Sequence, residues 1–543
     1  MSGLKLLVDT NVLIGLEDAQ PVKSSLAELV RLCGENGVSL FVDGANYDDV
    51  ERDSDIARRK ITLSKLEKFP RLRGVPLQND TQVAARFGLI KNDNDRSDVR
   101  LLAAVDAKAV DFLISQDIGL HRRAEKAALG NNVLTVEDAL EWMKQSFTSK
   151  TVSLPYVVER KAYEIDRTDP IFDSLRSDYS DFNAWFDKCR REHRNCWVLE
   201  AEGTIAGIVI RKDETHAEAG TNGIGPKILK ICTFKVRDEF QGEKFGELLL
   251  KQVLWFAQQN AYNLTYVTVF PKHAFLIDLL TYYGFKQTKS TSNGEYMLEK
   301  EIITGALPPF VGTAFDFDRV HYPRFEDGPA VRKFCVPIRP NYHCRLFPEI
   351  AFAADLPLFP TERFGLMRPN GQVRTPGNTI RKVYLCRSNI TRLRAGDLLF
   401  FYMSKDAKYA SSQSITTVGV VEQVVNVVSL NDLIKATAKR SVFSADELQA
   451  LEASPKSPVK LIDFLLLGHI EPSLPLDTLI EMGTFSSRPP QSISEMTEAQ
   501  YQNLKPFIRL GFQLWTEATG SEAFVTVAPA RFMVPVETLA CMP

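Results

Sequence analysis

The sequence predicts a multi-domain chain: an α/β unit on a parallel sheet over residues 1–148, an α+β unit over 149–303 and a β-rich barrel over 304–543. Three observations predict it. The 543 residues suffice for roughly three domains at about 100–200 residues each. Short apolar strands alternate with helical patterns up to residue 148, as in a parallel sheet covered by helices. From about residue 304 prolines become frequent and apolar runs short, which favours a β-rich unit.

In the first unit, 5–8, 38–42 and 111–114 read as strands, and 24–33, 98–109 and 135–144 as helices. Segment 146–149 reads as a linker. The second unit opens with an amphipathic helix over 182–191. A hairpin follows, with strands 196–201 and 204–210 joined by Glu202-Gly203. A strand at 227–236, a polar turn, a helix at 247–260, a strand at 264–270 and a short helix complete it. In the third unit, strands are expected at 383–386, 398–403, 417–425 and 464–469. Helical insertions are expected around 431–451 and 498–507.

Composition bounds function. With 44% hydrophobic and 25% charged residues there is apolar material for several cores. A net charge of −2 gives no global field for nucleic acid, so any such binding needs a local patch. The 8 cysteines are scattered, with no Cys-x-x-Cys pair. They point to reduced thiols in the cytoplasm rather than a zinc site or disulfide framework. The opening apolar run is short and contains Asp9, unlike a secretory leader. No stretch reaches the ~20 apolar residues of a membrane span.

Four acids stand out. Asp9 ends the strand Leu6-Leu7-Val8, and Asp117 follows Phe112-Leu113-Ile114-Ser115-Gln116. Asp49 and Asp98 lie beside helical patterns. Carboxylates that end parallel strands converge on the carboxyl edge of the sheet. Crowded there, they repel unless a cation sits between them, and hard oxygen ligands suit magnesium or manganese. With Leu7–Leu13, Tyr47-Asp48-Asp49-Val50, Ser97–Ala104 and Leu113–Asp117, this unit resembles a PIN domain. The resemblance implies a single-strand-specific ribonuclease. Asp9, Asp49, Asp98 and Asp117 would hold the metal, and Ser115 would sit beside the last acid. The ion would activate water and neutralise phosphate charge. The second acid stays open between Asp48 and Asp49, and Asp95 could contribute to the third. The alternative is a scaffold without activity, its acids serving as helix caps and turn residues.

The segment Val236-Arg237-Asp238-Glu239-Phe240-Gln241-Gly242-Glu243-Lys244-Phe245-Gly246 joins a strand end to a helix start. Free amides at a helix N-terminus hold a pyrophosphate. With Leu279-Leu280-Thr281-Tyr282-Tyr283-Gly284-Phe285, the unit resembles GNAT N-acetyltransferases over about 156–300. The resemblance implies acetyl-CoA bound by Val236, Gln241, Gly242, Glu243, Lys244, Phe245 and Gly246. Two departures stand out: Lys244 replaces the family's central loop glycine, and Leu280 replaces its general-acid tyrosine. No glutamate on strand 227–236 offers an obvious base.

From Arg363 to Arg394 there are eight basic residues with no acid between them. Arg374, Arg381, Lys382, Arg387, Arg392 and Arg394 read as a nucleic-acid strip, with Phe364 and Tyr384 as stacking partners. With Leu393–Tyr402 and Thr417–Glu422 this unit resembles PUA-like domains, including the ASCH and EVE families. The resemblance implies RNA binding, or reading of a modified nucleotide.

Three functions follow from these readings. One is a metal-dependent ribonuclease that cuts an RNA held by the third unit, with a toxin or defence role and an antitoxin or other protein partner. A second is an N-acetyltransferase with an inactive first unit. A third is a non-enzymatic sensor of RNA or modified nucleotides.

Overall fold

The computed structural model describes residues 4–14, 24–72, 80–147, 157–201, 203–240, 244–309, 311–350, 379–406, 412–438, 440, 443 and 445–511. The expected site residues Gln241, Gly242, Glu243 and Arg374 lie outside the described residues.

The first unit is the expected parallel α/β sheet. Its strands are β1 (Lys5–Val8), β2 (Ser39–Phe41), β3 (Phe112–Ile114) and β4 (Val133–Leu134), in the order β2-β1-β3-β4. All three pairings are parallel. One helix differs from expectation: it runs Asp93–Asp106 and is capped by Asn92, whose side chain accepts the Asp95 amide at 2.8 Å. Asp98 therefore lies inside the helix and does not cap it. The closing helix runs Val136–Phe147 and takes in part of the expected linker.

The second unit is a seven-stranded mixed sheet. It comprises β5 (Val157–Lys161), β6 (Asn195–Ala201), β7 (Thr204–Glu214), β8 (Ile228–Val236), β9 (Leu264–Val269), β10 (Lys286–Ser290) and β11 (Tyr296–Glu301). The order is β10-β11-β9-β8-β7-β6-β5, antiparallel except for β8 beside β9. The β10–β11 hairpin was absent from the sequence reading, although Asn293-Gly294 marks its turn, with Gly294 at φ 82°. The helix Phe245–Gln259 packs its apolar side on this sheet, with Leu249, Leu250, Val253 and Trp255 fully buried.

The third unit contains β12 (Lys333–Ile338), β13 (Arg381–Cys386), β14 (Leu398–Met403), β15 (Ser414–Val427), β16 (Val459–Pro475) and β17 (Ser494–Met496). They run in the order β13-β16-β15-β14-β12-β17, and the short β18 (Leu510–Gly511) joins β16. The expected barrel is not closed: among the described residues no ladder joins β13 to β17. Register shifts between β15 and β16 let these long strands bend. The sheet curls far enough for the Tyr384 hydroxyl on β13 to reach the Pro337 carbonyl on β12 at 3.1 Å.

The apolar cores cross the expected boundaries. One joins Leu249, Trp255 and Tyr283 of the second unit to Phe334, Phe401 and Phe464 of the third. Another joins Leu6, Leu29 and Trp142 of the first to Val383, Leu433 and Leu461 of the third. Among the described residues no helix is long and apolar enough to cross a membrane.

Candidate functional site

Strands β8 and β9 pair in parallel only from Ile228↔Leu264 to Ile231↔Val267. Both continue beyond that point, β8 to Val236 and β9 to Val269, without further pairing. The strands therefore part. Backbone groups on their facing edges are left for another partner, since peptide N–H and C=O groups need hydrogen bonds. A cavity of about 1110 Å³ opens at the parting, lined by Thr233, Phe234 and Val236 on one side and Val267, Thr268 and Phe270 on the other.

The helix Phe245–Gln259 starts at this cavity, which Lys244, Phe245 and Gly246 line. Its first amides carry the partial positive charge of a helix N-terminus. Lys244, at its N-cap, has φ 63°, a left-handed conformation costly for a residue with a Cβ. Its ammonium is tied to Asp138, on the Val136–Phe147 helix of the first unit. The first unit thus closes one side of the cavity. A second clasp joins Arg122 to Asp278 at 2.8 and 2.5 Å.

Leu280, at the expected tyrosine position, is fully buried. Tyr283 is buried too and donates to Glu247 at 3.2 Å, while Tyr282 reaches Glu422 at 3.3 Å. A different tyrosine lines the cavity. Tyr179 donates to Glu295 at 2.6 Å, and its ring lies 5.2 Å from that of Phe270. The sequence reading missed both residues. Only the Asn293-Gly294 turn hinted that Glu295 was held on a hairpin.

Residues 160–285 match the acetyltransferase (GNAT) family. No curated protein matches the chain. Among solved structures, the chain is similar to the PaiA N-acetyltransferase of Thermoplasma acidophilum in complex with coenzyme A. Identity is 14%, covering 27% of this chain and 98% of that one, at a TM-score of 0.21. An IAA acetyltransferase from Bacillus cereus is similar at 15% identity, over 27% and 99% of the two chains, with a TM-score of 0.21. The ZmASCH S128A mutant protein of Zymomonas mobilis is similar at 14% identity, over 33% and 97%, with a TM-score of 0.22.

The four acids of the first unit do gather. Asp9 is buried and accepts from Ser115 at 2.6 Å and from Asn11 at 2.8 Å. Burial pushes its pKa up to about 6, and repulsion from Asp49 and Asp117 adds to this. Asp98 is pushed up to about 7 by burial and then by Asp9, Asp117 and Asp49. Asp49 faces this group, whereas Asp48 is exposed and pairs with Arg100 at 3.3 Å. Asp95 pairs with Arg123 at 2.9 Å. Asp117 caps the helix Ile118–Lys126, accepting the Leu120 amide at 2.9 Å.

The expected magnesium or manganese set does not fit these residues as they stand. Asp49 is paired with Arg52 and accepts from Thr10 at 3.0 Å and Ser97 at 2.5 Å. A guanidinium and protein hydroxyls hold the oxygens that a cation would need. Among the described residues no three acidic, histidine or cysteine side chains are grouped to hold a metal ion.

The expected basic strip is divided. Arg387, Arg392 and Arg394 are exposed. Arg381 and Lys382 are turned inward, which removes them from any continuous surface for RNA. Arg381 pairs with Glu422 and stacks 5.0 Å from the Tyr282 ring. Lys382 is 1% exposed, and burial lowers its pKa to about 7 despite the attraction of Glu349.

Proposed function

We propose that this protein is a coenzyme A-dependent acyltransferase, its first unit serving as a wall of the acyl-CoA cavity rather than as a nuclease. The observation that carries this reading is the parting of β8 and β9 directly above the start of the Phe245–Gln259 helix. The match of residues 160–285 to the GNAT family supports it. An extended chain bearing amides can hydrogen-bond to the exposed strand edges, as in β-strand addition. Phe245 and Gly246 present helix-start amides suited to a pyrophosphate. Acyl-coenzyme A would supply an activated thioester when bound. The residues of this chain hold it, exclude water and orient the acceptor.

Titration calorimetry of the full chain with coenzyme A tests this reading. The expected result is one site per chain. Thr268→Trp, which fills the mouth of the parting, should weaken binding at least tenfold while leaving the thermal midpoint close to wild type. No binding at millimolar coenzyme A would overturn the reading.

A further inference from the structure

Three cations flank the start of the Phe245–Gln259 helix, and each already has a carboxylate. Lys235 pairs with Asp238 at 3.1 Å and Arg237 with Asp169 at 2.8 Å, so both are answered from within the second unit. Lys244 is answered from outside it, by Asp138 of the first unit. Lys244 and Asp138 both line the cavity, beside Phe245 and Gly246. The side chains are 27% and 12% exposed, so water screens the pair only in part.

The wall that carries Asp138 is negative and anchored. Asp138 lies in the first turn of the Val136–Phe147 helix, whose free amides favour a carboxylate there. Glu137, the preceding residue, is buried, lines the same cavity and accepts from Gln116 at 2.8 Å. The Gln116 amide in turn donates to Asn11 at 3.2 Å, and Asn11 donates to Asp9 at 2.8 Å. The Arg122–Asp278 clasp fixes the same face of the first unit to the second. Asp138 therefore holds its place independently of Lys244.

This arrangement works against an anion. The amides of Phe245 and Gly246 attract a pyrophosphate, whereas Glu137 and Asp138 repel it from the facing wall. The Lys244 ammonium is neutralised, and it reaches a phosphate only by leaving Asp138. Its backbone, at φ 63°, is one that glycine adopts freely and lysine adopts at a cost. What the lysine side chain provides in return is the bridge to the first unit.

We propose that the Lys244–Asp138 pair is an autoinhibitory latch, through which the first unit lowers the affinity of the cavity for coenzyme A. This rests on the acyltransferase reading and adds regulation to it. With the latch closed, the ammonium is spent on Asp138 and the carboxylate opposes the pyrophosphate. With it open, the ammonium turns to the phosphate while the Arg122–Asp278 clasp keeps the units together. The coupling is reciprocal: coenzyme A loosens the pair by the same factor by which release of Asp138 strengthens coenzyme A binding.

Titration calorimetry of the full chain with coenzyme A, at one ionic strength, compares wild type, Asp138→Asn, Asp138→Ser and Asp138→Asn combined with Lys244→Met. Both Asp138 variants are expected to bind about tenfold tighter than wild type. The double variant leaves two neutral positions in place of a neutral pair, and its affinity is expected to return to within about threefold of wild type. Thermal unfolding shows whether each variant is folded, and Lys244→Gln replaces Lys244→Met if that one is not. A gain below threefold in both Asp138 variants overturns the latch. So does a double variant that keeps the whole gain, because the freed ammonium is then not its source. If neither wild type nor any variant binds at millimolar coenzyme A, it is the acyltransferase reading that fails.

Discussion

At the scale of single residues, Asp98 gives a pH signature. Its folded pKa of about 7 lies above the ordinary carboxylate value of 3.8. The native state therefore holds a proton that the unfolded chain gives up, and the associated stability is complete below the unfolded value. It is lost as pH rises through the folded value. Asp98→Asn should be more stable than wild type at pH 8, by on the order of 2 kcal/mol after discounting for its partial exposure. The difference should shrink towards pH 5. Denaturant unfolding at both pH values checks this, and a less stable Asp98→Asn at pH 8 would contradict it. Millimolar manganese should leave the wild-type thermal midpoint unchanged; a rise that Asp9→Asn abolishes would restore the metal reading. Sequence alone placed Asp9 and Asp117 together because strand ends share an edge, whereas Asp98, on a helix, joined them only through the family resemblance. It could not foresee Arg52, which neutralises Asp49 from one turn further along the same helix and its cap.

At the scale of elements, the helix Phe245–Gln259 is pinned to the third unit by charge as well as by apolar packing. Lys251 is fully buried and meets Glu349 at 2.5 Å, with His469 at 3.7 Å from the same carboxylate. Removing one partner of a buried pair leaves the other uncompensated, so Lys251→Met should destabilise by about 3–5 kcal/mol. Lys251→Met combined with Glu349→Leu should recover most of that loss. Urea unfolding of the single and double variants decides it, and additive losses would refute the coupling. Most strands were legible from apolar runs, but the sides on which their charges lie were not. Arg381 and Lys382 sit on a strand whose partners, Glu422 and Glu349, come from distant parts of the chain. A basic run therefore looked like surface when two of its members are interior. Glu295 and Tyr179 are 116 residues apart, and no local periodicity could have joined them.

At the scale of the whole molecule, shared cores make the three units interdependent. Each of two apolar cores draws on the third unit, one with the second and one with the first. Unfolding should therefore be a single transition, with far-UV circular dichroism and tryptophan fluorescence coinciding along a urea series. Separate transitions would show that the units fold alone. The cavity has the same composite character, with Asp138 and Arg122 of the first unit clasping the second across it. Hydrogen exchange with and without saturating coenzyme A tests the central claim most directly, because it reports where the ligand lies. Acyl-CoA binding at the parted strands predicts slowed exchange in peptides spanning 232–236 and 244–246. Unchanged exchange there, or protection confined to another unit, would contradict it.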